Sequence, residues 1–284
     1  MKTGLVLEGG GVRGIYTAGV LDVFMEHGIS FDGVIGVSAG AIHGCSFLSN
    51  QNGRSIRYYK KYCKNPRFMS MKSWIKTGDV VEAEFCYHEL PEKLDPYDYA
   101  AFDENGIPFY VVCTDLDTGM AEYIRITDMK EEIDCLRASA SLPYFSRIVE
   151  INGKKYLDGG CTDSIPVKAF CDMGYESNVV VLTRPIDYRK KKEQTLLAKL
   201  VYRKYPKFVK ALLDRHTEYN KTVEKIISME KNGDVFVIRP ENSLDIGRLE
   251  ADPEKIQRVY DTGRADAEKQ IKKLLAWRAE KSKL

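Results

Sequence analysis

The chain is poor in the residues on which many enzymes build their sites. Its 284 residues include only four histidines, His27, His43, His88 and His216. The seven cysteines, Cys45, Cys63, Cys86, Cys113, Cys135, Cys161 and Cys171, are odd in number and scattered without C-x-x-C spacing, which argues against a disulfide framework and a zinc site alike. Neither sign of charge dominates: 43 basic residues face 41 acidic ones, so the global balance asks for no nucleic-acid partner. No stretch approaches the roughly 18 apolar residues of a membrane span, and the apolar run in MKTGLVLEGG is too short for a signal peptide. The expectation is a soluble, cytoplasmic protein in a reducing compartment. Ser282, Lys283 and Leu284 match a peroxisomal address, an ending that a lysine-rich tail also produces by composition.

What is present is an αβ rhythm. TGLVLEG is a short apolar run closed by glycines, and VRGIYTAGVLDVFMEHG follows with helical spacing and a stop at Gly28. FDGVIGVS then repeats the strand and SAGAIHGCSFLSN the helix, the alternation that builds parallel sheets. Further strands are predicted at PFYVVCT, AEYIRI, NVVVLTR and DVFVIRP, whose apolar character suits a sheet covered on both faces. Residues 51–107 are richer in aromatics and charge and read as a helical insertion or cap. From residue 190 onward helical patterns dominate, apart from the strand near residue 236.

Two glycine-rich turns carry the candidate chemistry. In GVSAG, Gly36 and Gly40 flank Ser38 at the spacing of a nucleophile elbow, and the segment before it reads as strand, the segment after as helix. The competing role for Ser38 is a helix N-cap. The second turn, EGGGVRG, satisfies G-x-G-x-x-G through Gly9, Gly11 and Gly14. A dinucleotide site would need an acidic residue closing the next strand, whereas Asp32 opens it and Ser38 stands at its end. Neighbouring parallel strands instead bring glycine N–H groups beside Ser38, the arrangement of an oxyanion hole.

A serine needs a base, and the histidines are badly placed for it. His27 lies about 20 Å of helix from the glycine loop at 1.5 Å per residue. His43 shares the helix of Ser38, and His88 and His216 have no turn or strand end to position them. Carboxylates at strand ends compete for the role: Asp158 in KKYLDGGCTD, followed by Gly159 and Gly160, and Asp115 and Asp117 in VVCTDLDTG.

Four blocks in order, EGGGVRG, GVSAG, ASASLP (Ala138 to Pro143) and DGG (Asp158 to Gly160), closely resemble the patatin-like phospholipase family. The resemblance implies a three-layer α/β/α fold with a mostly parallel central sheet and a Ser-Asp dyad without histidine. It puts the nucleophile on Ser38, the base on Asp158, and the oxyanion loop on Gly9, Gly10, Gly11, Val12, Arg13 and Gly14. Arg13 would orient the loop, counter a lipid phosphate, or form a surface salt bridge. The implied chemistry is acyl transfer from a lipid ester through an acyl-enzyme, with no metal and no cofactor. The expected organisation is a catalytic core over 1–185, with the insertion at about 51–107, and a mainly helical extension over 186–284 packed on that core.

Residues 189–216 carry ten Lys or Arg against one Glu and one Asp. Leu196, Leu197, Leu200, Val201, Tyr205, Phe208, Val209, Leu212 and Leu213 recur as an amphipathic stripe, read as a helix bent at Pro206. Such a helix either lies on anionic lipid or packs on the sheet with a solvated basic face. Alternatives for the whole chain are an acyltransferase using the same residues, a nucleotide-binding α/β protein using the glycine loop, and a non-catalytic binding module.

Overall fold

The computed structural model describes residues 1–192 and 195–282; Lys283 and Leu284 of the terminal tripeptide lie outside the described residues, as do Glu193 and Gln194 of the basic segment. The strands are β1 (Thr3–Leu7), β2 (Gly33–Val37), β3 (Phe109–Asp115), β4 (Ala121–Ile126), β5 (Val149–Ile151), β6 (Lys154–Asp158), β7 (Ser177–Val181) and β8 (Val235–Ile238). The α-helices are α1 (Ile15–Glu26), α2 (Ala39–Leu48), α3 (Arg54–Tyr62), α4 (Met71–Thr77), α5 (Tyr99–Asn105), α6 (Ile133–Ser139), α7 (Val167–Asp172), α8 (Thr195–Val201), α9 (Pro206–Lys231) and α10 (Pro253–Lys281). A π-helical segment, Phe85–Leu94, joins α4 to α5 within the insertion.

Strands β8, β7, β1, β2 and β3 are neighbours in that order and all parallel. Successive side chains point to opposite faces, so Leu5 and Leu7 join the core under α1, α2 and α10, while Val6 joins Val180, Val237 and the apolar faces of α7 and α9. The result is the three-layer α/β/α architecture. β4 departs from the expectation of burial on both faces. It returns antiparallel on the outer edge of β3 and is half-buried along most of its length, as its Glu122 and Arg125 require.

The two edges of β3 decide where the site lies. Cys113 and Thr114 pair with β4 on one side and with β6 on the other. β2 holds that second edge as far as Val112, and β6 takes it over from Cys113. β2 and β6 therefore run head-on along one edge of β3, and the residues ending them, Val37 and Asp158, are brought close.

The amphipathic stripe divides in two. Tyr205 leaves the helical region, as a residue before proline prefers, and Pro206 opens α9 as its first residue. Phe208, Val209 and Leu212 are buried, whereas Leu196, Leu197, Leu200 and Val201 of α8 are exposed. One bent helix was expected; the structure has a packed helix and a short exposed one.

α10 lies along α1 and is tied to it by one buried and one partly buried polar contact. Tyr260 donates to Asp22 Oδ2 at 2.6 Å, and Tyr16 donates to Asp266 at 2.8 Å. Replacing Tyr260 with Phe leaves the buried Asp22 without this donor. The expected loss is about 1–3 kcal/mol of stability, read as a lower urea midpoint at unchanged m-value. An unchanged midpoint would show that this contact does not hold α10 to the core.

Candidate active site

Ser38 follows β2 directly and has φ 54° and ψ −123°, a conformation that costs a non-glycine residue about 1–3 kcal/mol. The turn is pressed against its surroundings: a Cβ on Gly36 would lie 2.7 Å from the Ala41 backbone, and one on Gly40 would lie 2.6 Å from the Leu7 carbonyl oxygen. Only glycine fits at either place. The Ser38 side chain makes no capping hydrogen bond to α2, so the N-cap role does not apply.

The strained turn is held by a residue to which the sequence reading gave no role. The Ser38 N–H donates to Ser139 Oγ at 2.9 Å, and that hydroxyl donates to the Val112 carbonyl at 2.6 Å. Ser139 thus fills the gap where β2 stops and β6 has not yet begun. Two residues on, the Ser141 carbonyl accepts the Asp158 N–H at 2.8 Å. The ASASLP block therefore positions both ends of the head-on strands.

Asp158 is buried, and its Oδ1 accepts the Gly160 N–H at 2.7 Å. Burial raises its pKa above the ordinary carboxylate value; Arg215, a hydrogen bond from the Ser38 side chain, the Gly160 N–H and Arg248 pull it back down. The competing carboxylates are elsewhere. Asp115 accepts the Thr118 N–H at 2.8 Å in the β3–β4 turn, and Asp117 is exposed. The structure brings neither of them into the cavity with Ser38.

No histidine lines a cavity at Ser38. His43 is a core residue whose Nδ1 lies 2.9 Å from Ser55 Oγ, and burial pushes its pKa down to about 3. His27 ends α1 beside Glu268, and His216 Nδ1 lies 2.9 Å from the Leu213 carbonyl on α9.

The glycine loop lies beside Ser38, but not all six of its expected members face the cavity. Gly9, Gly10, Gly11 and Arg13 line it, and Val12 and Gly14 do not. Val12 is a core side chain whose N–H donates to the Arg248 carbonyl at 3.3 Å, and the Gly9 N–H donates to the Ser164 carbonyl at 3.3 Å. Arg13 is itself buried, which rules out a surface salt bridge. Glu8 anchors the loop: it accepts from the Thr183 N–H and hydroxyl at 2.5 and 3.0 Å and from Tyr219 at 2.7 Å. Asp32, the candidate dinucleotide acid, accepts the Thr3 N–H at 2.6 Å before β2 begins, at the opposite end of the strands from this loop.

Two compartments meet at Ser38. One is a cleft partly open to solvent, with walls such as Ile42, Tyr59, Phe68, Tyr87, Leu90 and Leu136. Much of that wall comes from the insertion, including its π-helical segment. The other is lined by Asp158, Glu8, the glycine loop and several cationic side chains. Among the described residues no cluster of His, Cys, Asp and Glu is arranged to hold a metal ion.

A strained serine elbow beside a glycine loop, on a mostly parallel three-layer sheet, defines the class of α/β protein that presents a serine at a strand end. The patatin-like phospholipase family matches residues 5–171, and the chain belongs to that family. A domain of unknown function, DUF6363, matches residues 205–279. The chain is 34% identical over 190 residues to the uncharacterized protein YjjU of Escherichia coli K12, covering 65% of this chain and 52% of that protein. It is 28% identical over 191 residues to lysophospholipase NTE1 of Eremothecium gossypii, covering 66% of this chain and 12% of that protein. The uncharacterized NTE family protein Rv1063c of Mycobacterium tuberculosis is 23% identical over 180 residues, with 63% and 48% covered. The chain thus spans about half the length of YjjU and Rv1063c. VipD of Legionella pneumophila superimposes with a TM-score of 0.48 at 13% identity, over 96% of this chain and 67% of that one.

Replacing Ser139 with Ala should unpair the Ser38 N–H and the Val112 carbonyl together. The expected cost is about 1–3 kcal/mol of stability, with slower labelling of Ser38 by a fluorophosphonate. Normal stability and normal labelling would show that the turn does not depend on this bridge.

Proposed function

We propose that the chain is a serine acyl hydrolase acting on carboxylic ester bonds of lipids, with Ser38 as nucleophile and Asp158 as base. One observation carries this: Ser38 stands at the junction of an apolar cleft and a polar pocket, and the buried carboxylate of Asp158 lines that pocket with it. An amphiphile with its ester at that junction has its acyl chain in the cleft and its alcohol in the pocket. The lysophospholipase name of one relative supports the same class of substrate.

In this mechanism Asp158 takes the Ser38 proton as Oγ attacks the acyl carbon. The Gly10 and Gly11 N–H groups, at the mouth of the helical turn that follows, stabilise the oxyanion. The carbonyl reforms, the acyl–oxygen bond to the alcohol breaks, and the alcohol leaves with the proton held by Asp158. Water then attacks the acyl-enzyme and gives a proton to Asp158, which passes it to Ser38 Oγ as the acyl–oxygen bond to Ser38 breaks and the acid is released. An acyltransferase differs only in the last acceptor, an alcohol in place of water. The elevated pKa that burial gives Asp158 makes it a stronger base than an exposed aspartate.

Residues 189–216 form the proposed contact with an anionic membrane. Leu196 and Leu200 on α8 are 81% and 68% exposed, and Lys191, Lys192, Lys199, Arg203 and Lys204 lie close to them in the chain. Apolar side chains inserted among anionic head groups, with cations around them, give the pattern of a peripheral helix. Among the described residues no helix is long and apolar enough to cross a membrane.

Ser38→Ala and Asp158→Asn are each expected to abolish ester hydrolysis, and the double variant to lose little more, because the two groups act as one unit. Activity should fall on the acid side, as Asp158 is protonated, at a pH above the range of ordinary aspartates. Replacing all four histidines by Gln should leave substantial turnover. Near-normal turnover in Asp158→Asn would move the base elsewhere.

For the membrane contact, Leu196→Ser with Leu200→Ser should weaken co-sedimentation with vesicles of phosphatidylglycerol and phosphatidylcholine. Binding by the unaltered chain should weaken with salt, since the Debye length is about 10 Å at 0.1 M. Equal sedimentation of variant and parent would leave α8 as a solvent-facing helix only.

A further inference from the structure

The pocket on the alcohol side of Ser38 has an unusual charge balance. Arg13, Arg184, Lys190, Arg215 and Arg248 line it against two carboxylates, Glu8 and Asp158. Glu8 is hydrogen-bonded by uncharged donors, Thr183 and Tyr219, and Asp158, which accepts the Gly160 N–H, is the carboxylate that Arg215 and Arg248 favour in its ionised form, so two carboxylates face five cations. Arg13 is 92% buried by its 8% exposure, lines the pocket, and has an Nε with no hydrogen-bond partner. Burial lowers its pKa to about 10, and the neighbouring charges of Arg184 and Arg248 push the same way against the pull of Glu8. Guanidinium groups converging in a partly desolvated pocket repel one another unless an anion lies between them.

We propose that this pocket receives an anionic head group, a phosphate monoester carried by the alcohol of the scissile ester, so that the substrate class is an acyl glycerol phosphate and not its choline ester. The proposal rests on the hydrolase reading above for its direction: with the acyl chain in the apolar cleft, the alcohol enters the cationic side. A phosphate monoester carries about −1.5 to −2 charges at pH 7 and three acceptor oxygens, which suits several guanidinium forks. A choline group would add a cation to a pocket already rich in them. Arg184, Lys190, Arg215 and Arg248 all lie outside residues 5–171, the span matched by the catalytic family. Four of the five cations proposed to hold the head group thus come from a different part of the chain from the serine elbow, and Arg13 comes from the same part.

The test compares 1-acyl-glycerol 3-phosphate, 1-acyl-glycero-3-phosphocholine and 1-acyl-glycerol of one chain length, each below its critical micelle concentration. For the intact protein, kcat/KM for the phosphate monoester should exceed that for the other two by at least roughly tenfold. In the Arg184→Gln, Arg248→Gln double variant that ratio should fall toward one. The same three compounds and inorganic phosphate are titrated calorimetrically into Ser38→Ala protein. Tighter binding of the phosphate monoester than of the choline ester, with inorganic phosphate much weaker, supports a head-group subsite. Equal affinity for inorganic phosphate and 1-acyl-glycerol 3-phosphate would overturn it in favour of a free-phosphate site. Equal kcat/KM for the three esters, or a ratio that the double variant does not change, also overturns it. A chain that binds the phosphate monoester preferentially but cleaves none of the three keeps the anion pocket and sinks the hydrolase reading alone.

Discussion

Two strands meeting head-on along one edge of β3 are the constraint on which the site depends. A strand edge offers one ladder, and β2 and β6 divide it between Val112 and Cys113. At such a junction one strand's last donor and the shared edge's free carbonyl are both left without a ladder partner. Both are buried here, so each would cost about as much as a lost hydrogen bond. The Ser139 hydroxyl serves both, as acceptor to Ser38 and donor to Val112. Gly159 follows from the same junction: a Cβ there would lie 2.1 Å from the Val112 carbonyl oxygen. The geometry that brings a carboxylate to a serine is therefore a consequence of ending two strands against each other and repairing the gap.

That arrangement is costly, and the costs are concentrated where chemistry is proposed. Ser38 occupies a backbone conformation unfavourable for any residue with a side chain, and Asp158 is ionisable but buried. Arg215 offsets part of the second cost. It reaches from α9, where its Nε donates to the Gly160 carbonyl and its charge favours the ionised form of Asp158. The rest of the core supplies the surplus: the β1, β2 and β7 strands are almost wholly buried, and α1 and α10 share a packed interface with one buried and one partly buried polar tie.

What was legible in the sequence follows the range of the interactions involved. The serine elbow and the glycine loop are contiguous motifs whose function is set by local backbone geometry, so a short window holds all the information. Asp158 was one of three carboxylates at strand ends, and residue physics left them close together. What separates it from Asp115 is the register of β6 on β3, a pairing between residues more than forty positions apart. Ser139 was within a quoted block but without a role, because its two partners lie on other strands. The three-residue β5 was missed, being too short to show a period. The stripe over 189–216 keeps its helical period through Tyr205, yet the backbone breaks there, because proline forbids the preceding residue a helical conformation more firmly than side-chain spacing can demand it.

The cationic pocket was legible only in pieces, Arg13 in the glycine loop and Lys190 and Arg215 in the basic run, and the reason is physical. Its members come from the glycine loop, the segment after β7, α9 and the segment before α10, and only the fold brings them together. A patch of five cations gathered from four separate segments cannot be found by spacing, whereas a charge run along one segment can. The same distribution separates two properties within one cavity. The strained serine, its carboxylate and its glycine N–H groups come from strand ends buried in the sheet, where any change disturbs the core. Arg184, Lys190 and Arg248 come instead from segments outside the strands, whereas Arg13 is buried in the glycine loop and Arg215 is tied to the Gly160 carbonyl. The proposed head-group contacts made by Arg184, Lys190 and Arg248 are therefore separable in the chain from the proposed Ser38–Asp158 pair, while those of Arg13 and Arg215 are not.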